Sequence, residues 1–191
     1  MDAMNLTGKT LIAMPGMGDP RFAHSVVLIA AHGDKGAMGL IVNKLMPDLG
    51  FLPLLKQLGI AAGPQTRRLP IHFGGPVETQ RGFVLHDDPE GVADDGDSPM
   101  LPAGAGLAIT TTRDILEELA AGRGPQRVML AVGYAGWAPG QLEDEIARND
   151  WLTGRADPDL IFSGQPLRIW ADSLRAEGID PAMLASGAGR A

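Results

Sequence analysis

The sequence predicts a single α+β domain over residues 1–191, built on one bent, mostly antiparallel sheet with about four helices packed around it. Three observations carry this. Segments of strand and helix character do not alternate cleanly: hairpins and strand-to-helix steps are mixed, as in α+β folds and unlike parallel α/β sheets. The 191 residues, 45% of them hydrophobic, suit one domain with a full core, and no stretch reads as a linker or an internal repeat. The 26 glycines and 15 prolines stand mainly at the edges of apolar runs, where they punctuate turns.

The elements follow in order. Thr10 to Ala13 reads as a short strand, broken by Met14-Pro15-Gly16 and the following Gly18-Asp19-Pro20. Ser25 to His32 is a continuous apolar run, a buried strand. After the turn His32-Gly33-Asp34-Lys35-Gly36, Ala37 to Asn43 completes a hairpin. Phe51, Leu54, Leu55 and Leu58 recur at helical spacing, with Asp48 near the start and Gly59 past the end, which predicts a helix over 48–58. Arg67 to Phe73 and Arg81 to His86 read as strands on either side of the forced turn Gly74-Gly75-Pro76.

A long acidic loop is expected over about 87–104, mobile or functional given its length. Leu107 to Thr110 is a strand. Thr112 to Ala121 is a helix capped by Thr111 or Thr112, with Asp114 in its first turn. Arg127 to Val132 is a strand that passes through a Gly/Trp/Pro turn, Gly133 to Gly140, into a helix over Gln141 to Asn149. Trp151 to Arg155 is a short strand. Leu167 to Glu177 is the last helix, with Leu167, Trp170 and Leu174 as its apolar stripe and Gly178 as its stop.

Charge and composition exclude several classes of function. Net charge is −7, and Asp87, Asp88, Glu90, Asp94, Asp95 and Asp97 place most of that excess in one loop, leaving the remainder at −1. Neither part offers the clustered Lys/Arg that neutralises phosphates, and no helix-turn-helix with a basic recognition helix stands out, so direct nucleic-acid binding is not expected. With no cysteine there is neither a disulfide framework nor a thiolate site. The N-terminus lacks the basic start and apolar run of a signal peptide. The longest apolar run, Val26 to Ala31, is far short of the roughly 20 residues needed to span a bilayer. A cytoplasmic protein without membrane contact is the expectation.

Several segments, in order, resemble the YqgE/AlgH family of small bacterial proteins. They are Leu6 to Pro15, Asp19-Pro20-Arg21-Phe22, Gly36 to Asn43, Gly74-Gly75-Pro76-Val77, Arg81 to His86, Gly133 to Glu145, Asn149-Asp150-Trp151-Leu152, Ile161-Phe162 and Trp170 with Gly178-Ile179-Asp180. The sharpest is Gly133-Tyr134-Ala135-Gly136-Trp137, followed by Gly140-Gln141-Leu142-Glu143 and Glu145. Lys44-Leu45 stand where the family often has Arg-Pro, and Arg190 where it commonly has His. The resemblance implies an α+β fold with a bent, partly barrel-like sheet and a role as a transcriptional regulator. It brings no catalytic residues.

The candidate chemistry divides between fold and site. Gly136, Trp137 and Gly140 lead into a helix N-terminus, whose free N–H groups suit an anion, but the same glycines serve a tight turn and Trp137 can plug the core. Gly74 and Gly75 offer a second such turn. His72 and His86 flank that turn with Glu78 and Arg81 between them. If the two strands pair, these four could meet as a general base beside an anion clamp. His24, His32, His72 and His86 lack the spacing of a metal site, Asp94-Asp95-Gly96-Asp97 lacks that of a calcium loop, and neither Thr110 to Asp114 nor any serine sits in a nucleophile context. No metal and no cofactor is called for.

Two readings result. The first is a non-enzymatic regulatory or interaction protein that affects transcription indirectly. It binds a protein partner or a small anionic ligand through Gly74 to Val77 and Gly133 to Gln141. The alternative is an enzyme or a nucleotide- or anion-binding protein using the Gly136–Gly140 helix N-terminus with His86 or His72 and Arg81.

Overall fold

The apolar run beginning at Val26 does not alternate because both of its faces are covered. Val26, Leu28 and Ala30 point to one hydrophobic cluster and Val27 and Ile29 to another, and all five are buried. That run is β2 (Val26–Gly33) in a curled half-barrel sheet, seen in a computed structural model that describes residues 5–88 and 100–187.

The other strands are β1 (Lys9–Ala13), β3 (Gly36–Ile41), β4 (Leu45–Gly50), β5 (Pro70–Phe73), β6 (Val77–Asp87), β7 (Met100–Gly104), β8 (Leu107–Thr110), β9 (Val128–Trp137) and β10 (Trp151–Arg155). The main path runs β10-β1-β2-β3-β9-β6-β8-β7, with β4 and β5 attached to β9 from the side. The pairings among the described strands are antiparallel except β5 with β9. Curling brings β7 back against β2.

Helices α1 (Phe51–Gln57), α2 (Arg113–Ala120), α3 (Gln141–Ala147) and α5 (Pro166–Ala176) are the four expected ones, joined by α4 (Pro158–Ile161) and α6 (Pro181–Gly187). Inside the curl, Ile12, Leu28, Leu40, Phe83, Leu85, Ile109 and Met129 meet Ile161 of α4 and Ile169 and Leu174 of α5. On the outer face, Leu142 of α3 covers Val27, Ile29, Ile41 and Ala135. Further along the same face, Phe51 and Leu55 of α1 and Leu119 of α2 cover Ile71, Val84 and Leu130.

The long strand β9 links the two parts of the sheet. Its first half pairs with β5 on one edge and β6 on the other: Leu130 faces Ile71 and Val84. Gly133, at φ +72, bends it, and Ala135 to Trp137 then pair with β3. The predicted Gly/Trp/Pro turn is therefore a strand as far as Trp137, with only Ala138 to Gly140 turning.

Other expectations shift. The helix begins at Phe51 rather than Asp48, because Leu45–Gly50 pairs with β5. Residues 100–104 are strand β7, not loop, and the rest of the expected acidic loop, 89–99, lies outside the described residues, as does Arg190. Thr112 occupies the N-cap of α2, but its side chain makes no capping hydrogen bond. On α5 the buried residues are Ile169, Ser173 and Leu174, while Leu167 is 94% exposed, so the apolar stripe is rotated from the predicted one. Among the described residues no helix is long and apolar enough to cross a membrane.

A cleft between the signature strand and helix α3

Strand β9 delivers Trp137 to the sheet edge, and Gly140, at φ +77, turns the chain into α3. The turn is closed on itself: Gln141 N–H donates to the Ala138 carbonyl and Ala138 N–H to Gln141 Oε1, both at 3.0 Å. One helical turn after Gln141 comes Glu145, and its carboxylate gathers three donors. Oε2 accepts the indole N–H of Trp137 at 2.9 Å and of Trp151 at 2.8 Å; Oε1 accepts Gln141 Nε2 at 2.8 Å. Trp151 enters from β10. Trp137, Trp151 and Phe22 form a tilted and edge-to-face aromatic set with centroids 5.6–6.4 Å apart.

These groups floor a cleft of about 450 Å³, lined also by Asp19, Arg21, Pro76, Val77, Gly136, Arg148 and Asp150. Two ion pairs edge it. Arg21 Nη2 lies 2.6 Å from Asp19, whose carboxyl is held below its ordinary range by that hydrogen bond. Arg148 Nη2 lies 3.1 Å from Asp150. The guanidinium side chains are 59% and 63% exposed, and Nη1 of each has no bond among the described residues. Arg21 sits in a single 3₁₀ turn (Pro20–Phe22) whose start is capped by Asp19 Oδ1 accepting from Arg21 N–H. Helix α3 is pinned from behind: His32 Nδ1 accepts from Leu6 N–H, so its Nε2–H donates to Glu143 Oε1 at 2.9 Å.

The structure brings together some predicted site residues and separates others. Gly136 and Trp137 line the cleft beside Pro76 and Val77. Gly74 and Gly75 lie behind it as packing elements. Gly74 bridges strands, its N–H donating to Val132 O and its carbonyl accepting from Ile41 N–H, both at 2.9 Å. A Cβ on Gly74 would stand 2.3 Å from Gly133 O, and one on Gly75 2.0 Å from Tyr134 C. Gly140 is exposed and outside the lining, and the first turn of the short helix α3 that it opens already carries Glu143 and Asp144.

The His72–Glu78–Arg81–His86 grouping does not assemble, because β9 lies between β5 and β6. His72 is opposite Ala131, on the inner face. His86 is opposite Val128, on the outer face with Val84 and Leu130. Both rings serve the backbone. His72 Nδ1–H donates to Leu130 O at 3.2 Å, and burial lowers its pKa. His86 Nδ1–H donates to Asp87 O at 2.8 Å, which leaves Nε2 to accept the Thr110 hydroxyl at 2.9 Å. Arg81 is exposed, paired with Glu78 at 3.2 Å and stacked over Phe83. Glu145 and Arg148 were missed at the sequence level; the signal was Gln141 and Glu145 at helical spacing between two tryptophans. Among the described residues no three metal-ligating side chains cluster.

Comparison with known proteins agrees over nearly the whole chain. The sequence is 54% identical over 187 residues to a UPF0301 protein of Paracoccus denitrificans, covering 98% of this chain and 97% of that one. The structure resembles the solution structure of the AlgH protein from Pseudomonas aeruginosa, with TM-score 0.77 and 38% identity over 100% of this chain and 98% of that one. It also resembles a crystal structure of a Corynebacterium diphtheriae protein, with TM-score 0.68 and 25% identity over 88% and 85%. The family described as AlgH-like matches residues 10–182, and the chain belongs to that family.

Proposed function

We propose that this chain is a non-enzymatic regulatory or interaction protein of the cytoplasm that recognises an anionic group, carried by a small ligand or by a protein partner, in the cleft beside Trp137. The observation that carries this reading is convergence. Asp19 to Phe22, Pro76-Val77, Gly136-Trp137 and Asp150-Trp151 are far apart in sequence, yet all line one cleft. The cleft is lined by no histidine, and its three carboxylates are engaged, Glu145 by three N–H donors, Asp19 by Arg21 and Asp150 by Arg148, so none is a free general base. What it offers a ligand is two exposed guanidiniums with uncommitted Nη1 groups above an aromatic floor, a combination suited to a carboxylate or phosphate. Any effect on transcription would then run through the bound partner, since net charge −7 disfavours contact with DNA.

The test is thermal unfolding against nucleotides, sugar phosphates and carboxylates, with tryptophan fluorescence as a second readout because Trp137 and Trp151 line the cleft. A native-state ligand at about 100-fold above its Kd adds roughly 2.7 kcal/mol. That is a shift of a few degrees for a domain of this size. The expected hit disappears in Arg21→Ala or Arg148→Ala. A panel without a hit refutes the small-anion form of the reading; a hit indifferent to both arginines places the site elsewhere.

A further inference from the structure

Strand β9 lies inside the sheet, between β3 and β6, yet its end has a neighbour on one edge only. Ala135 to Trp137 pair with β3, while β6 begins at Val77, opposite Tyr134. The hydrogen-bond phase shows which groups face the gap. Val42 N–H donates to Val26 O, so Leu40 bonds β2 and its neighbour Gly39 bonds β9. Gly39 stands opposite Ala135 and Ala37 opposite Trp137, so Ala135 and Trp137 direct their main-chain groups at β3. Gly136, between them, directs its N–H and C=O the other way, past the start of β6.

That gap belongs to the cleft beside Trp137, which Pro76, Val77 and Gly136 all line. Gly136 is exposed, and neither its N–H nor its C=O makes a hydrogen bond among the described residues. Two residues on, Ala138 N–H is closed by Gln141 Oε1. A free donor and a free acceptor on one residue of a strand edge are what an added strand pairs with. In the same cleft stand Arg21 and Arg148, each held by its aspartate through Nη2 with Nη1 uncommitted. These call for a carboxylate. A small anion would satisfy the arginines but has no donor for the Gly136 carbonyl. An acidic polypeptide segment supplies all three groups: N–H, C=O and carboxylate.

Resting on the reading of this cleft as an anion site, we propose that its ligand is a polypeptide, an extended acidic segment of a protein partner added to the end of β9 in line with β6. Its main chain exchanges two hydrogen bonds with Gly136, and its acidic side chains meet the Nη1 groups of Arg21 and Arg148.

The experiment is hydrogen exchange at the Gly136 amide together with amide chemical-shift titration of the full chain. The probes are a pentapeptide with acetyl and amide ends (threonine, glutamate, valine, glutamate, threonine), the same peptide methylated at its three inner backbone nitrogens, and glutarate as a carboxylate without a main chain. At saturation the peptide is expected to slow exchange at Gly136 by at least about tenfold, and glutarate to leave it unchanged. The peptide should bind at least about tenfold more tightly than either glutarate or its methylated form, and more weakly to Arg21→Ala and Arg148→Ala. Gly136→Pro removes the donor from the edge that faces away from β3, and is expected to weaken the peptide by about tenfold while glutarate binding holds. The methylated peptide serves if that variant fails to fold. Glutarate binding as tightly as the peptide, with exchange at Gly136 unaltered by both, overturns this inference and leaves the anion reading standing. No shift with either probe at millimolar concentration overturns both.

Discussion

Trp151 on the edge strand β10 and Glu145 on α3 are joined by an indole N–H to carboxylate hydrogen bond of 2.8 Å, and Trp137 donates to the same oxygen. The two tryptophans are 3% and 7% exposed, so neither indole has ready access to water. One carboxylate thus ties the end of the sheet-linking strand, the helix after it and the edge strand into a single unit. Glu145→Ala strands both donors. Since an unsatisfied buried donor costs about 1–3 kcal/mol, a loss of about 2–4 kcal/mol in urea unfolding is expected. Glu145→Gln keeps one carbonyl oxygen that can accept both indoles but sets an NH2 against Gln141 Nε2, so it should lose clearly less than Glu145→Ala. Equal stability of Glu145→Ala and wild type would show that the clasp is not structural.

His72 supplies a pH dependence with a definite sign. Burial lowers its pKa from the ordinary 6.5, so below that value the unfolded chain takes up a proton that the folded chain resists. Stability is therefore full above pH 6.5 and falls as pH drops below it, by up to about 1.4 kcal/mol per pH unit from this residue, until the folded-state value is reached. His72→Gln, whatever it does to the absolute stability, should flatten the decline of the urea midpoint between about pH 6.5 and 5. An unchanged slope would show that His72 is not the group responsible.

His86 and Thr110 answer the question of a hidden base. Thr110→Val removes the hydroxyl that Nε2 of His86 accepts and keeps the shape of the side chain. The expected result is a loss of about 1–2 kcal/mol in unfolding free energy and an unaltered response of the Trp137 cleft to its ligand. A changed response at that cleft would mean that His86 takes part after all.

Much of the fold was legible because burial writes itself as periodicity. The run Val26 to Ala31 announced a buried strand, and the helical spacing of Phe51, Leu54, Leu55 and Leu58 announced α1, which buries Phe51 and Leu55. The losses have physical reasons. Asp19-Pro20, Asp157-Pro158 and Asp180-Pro181 each open a helical turn, with the aspartate Oδ1 accepting an N–H two residues on. These starts are readable, but the turns behind them are too short to show a period. Strand β4 was hidden by Asp48, which read as a helix start. The site was half legible: composition marked the Trp137 segment, whereas the presence of Arg21 and Arg148 in one cleft depends on β1, β10 and α3 lying side by side, which no local pattern encodes. His72 and His86 were wrongly joined for the same reason, since β9, the strand that lies between theirs, begins only at Val128.

The glycines of the two signature turns differ in what they protect, and substitution separates them. Gly74 has an ordinary φ, so alanine there introduces no backbone strain; the conflict is steric, a Cβ 2.3 Å from Gly133 O and 3.2 Å from both Ala131 Cβ and Leu40 Cδ2. Because the contact is backbone on a strand held from both edges, it cannot be relieved by a rotamer change, and Gly74→Ala should lose about 3 kcal/mol or more. Gly140 is the reverse case. Its φ is +77 and nothing lies within 4 Å of its missing Cβ, so alanine there meets only the left-handed penalty of about 1–2 kcal/mol. Urea unfolding of the two variants side by side should therefore rank Gly74→Ala as clearly the worse. The cleft response should survive in Gly140→Ala, because Gly140 lies outside the lining. The opposite ranking, or loss of the response in Gly140→Ala, would move Gly140 from the fold to the site.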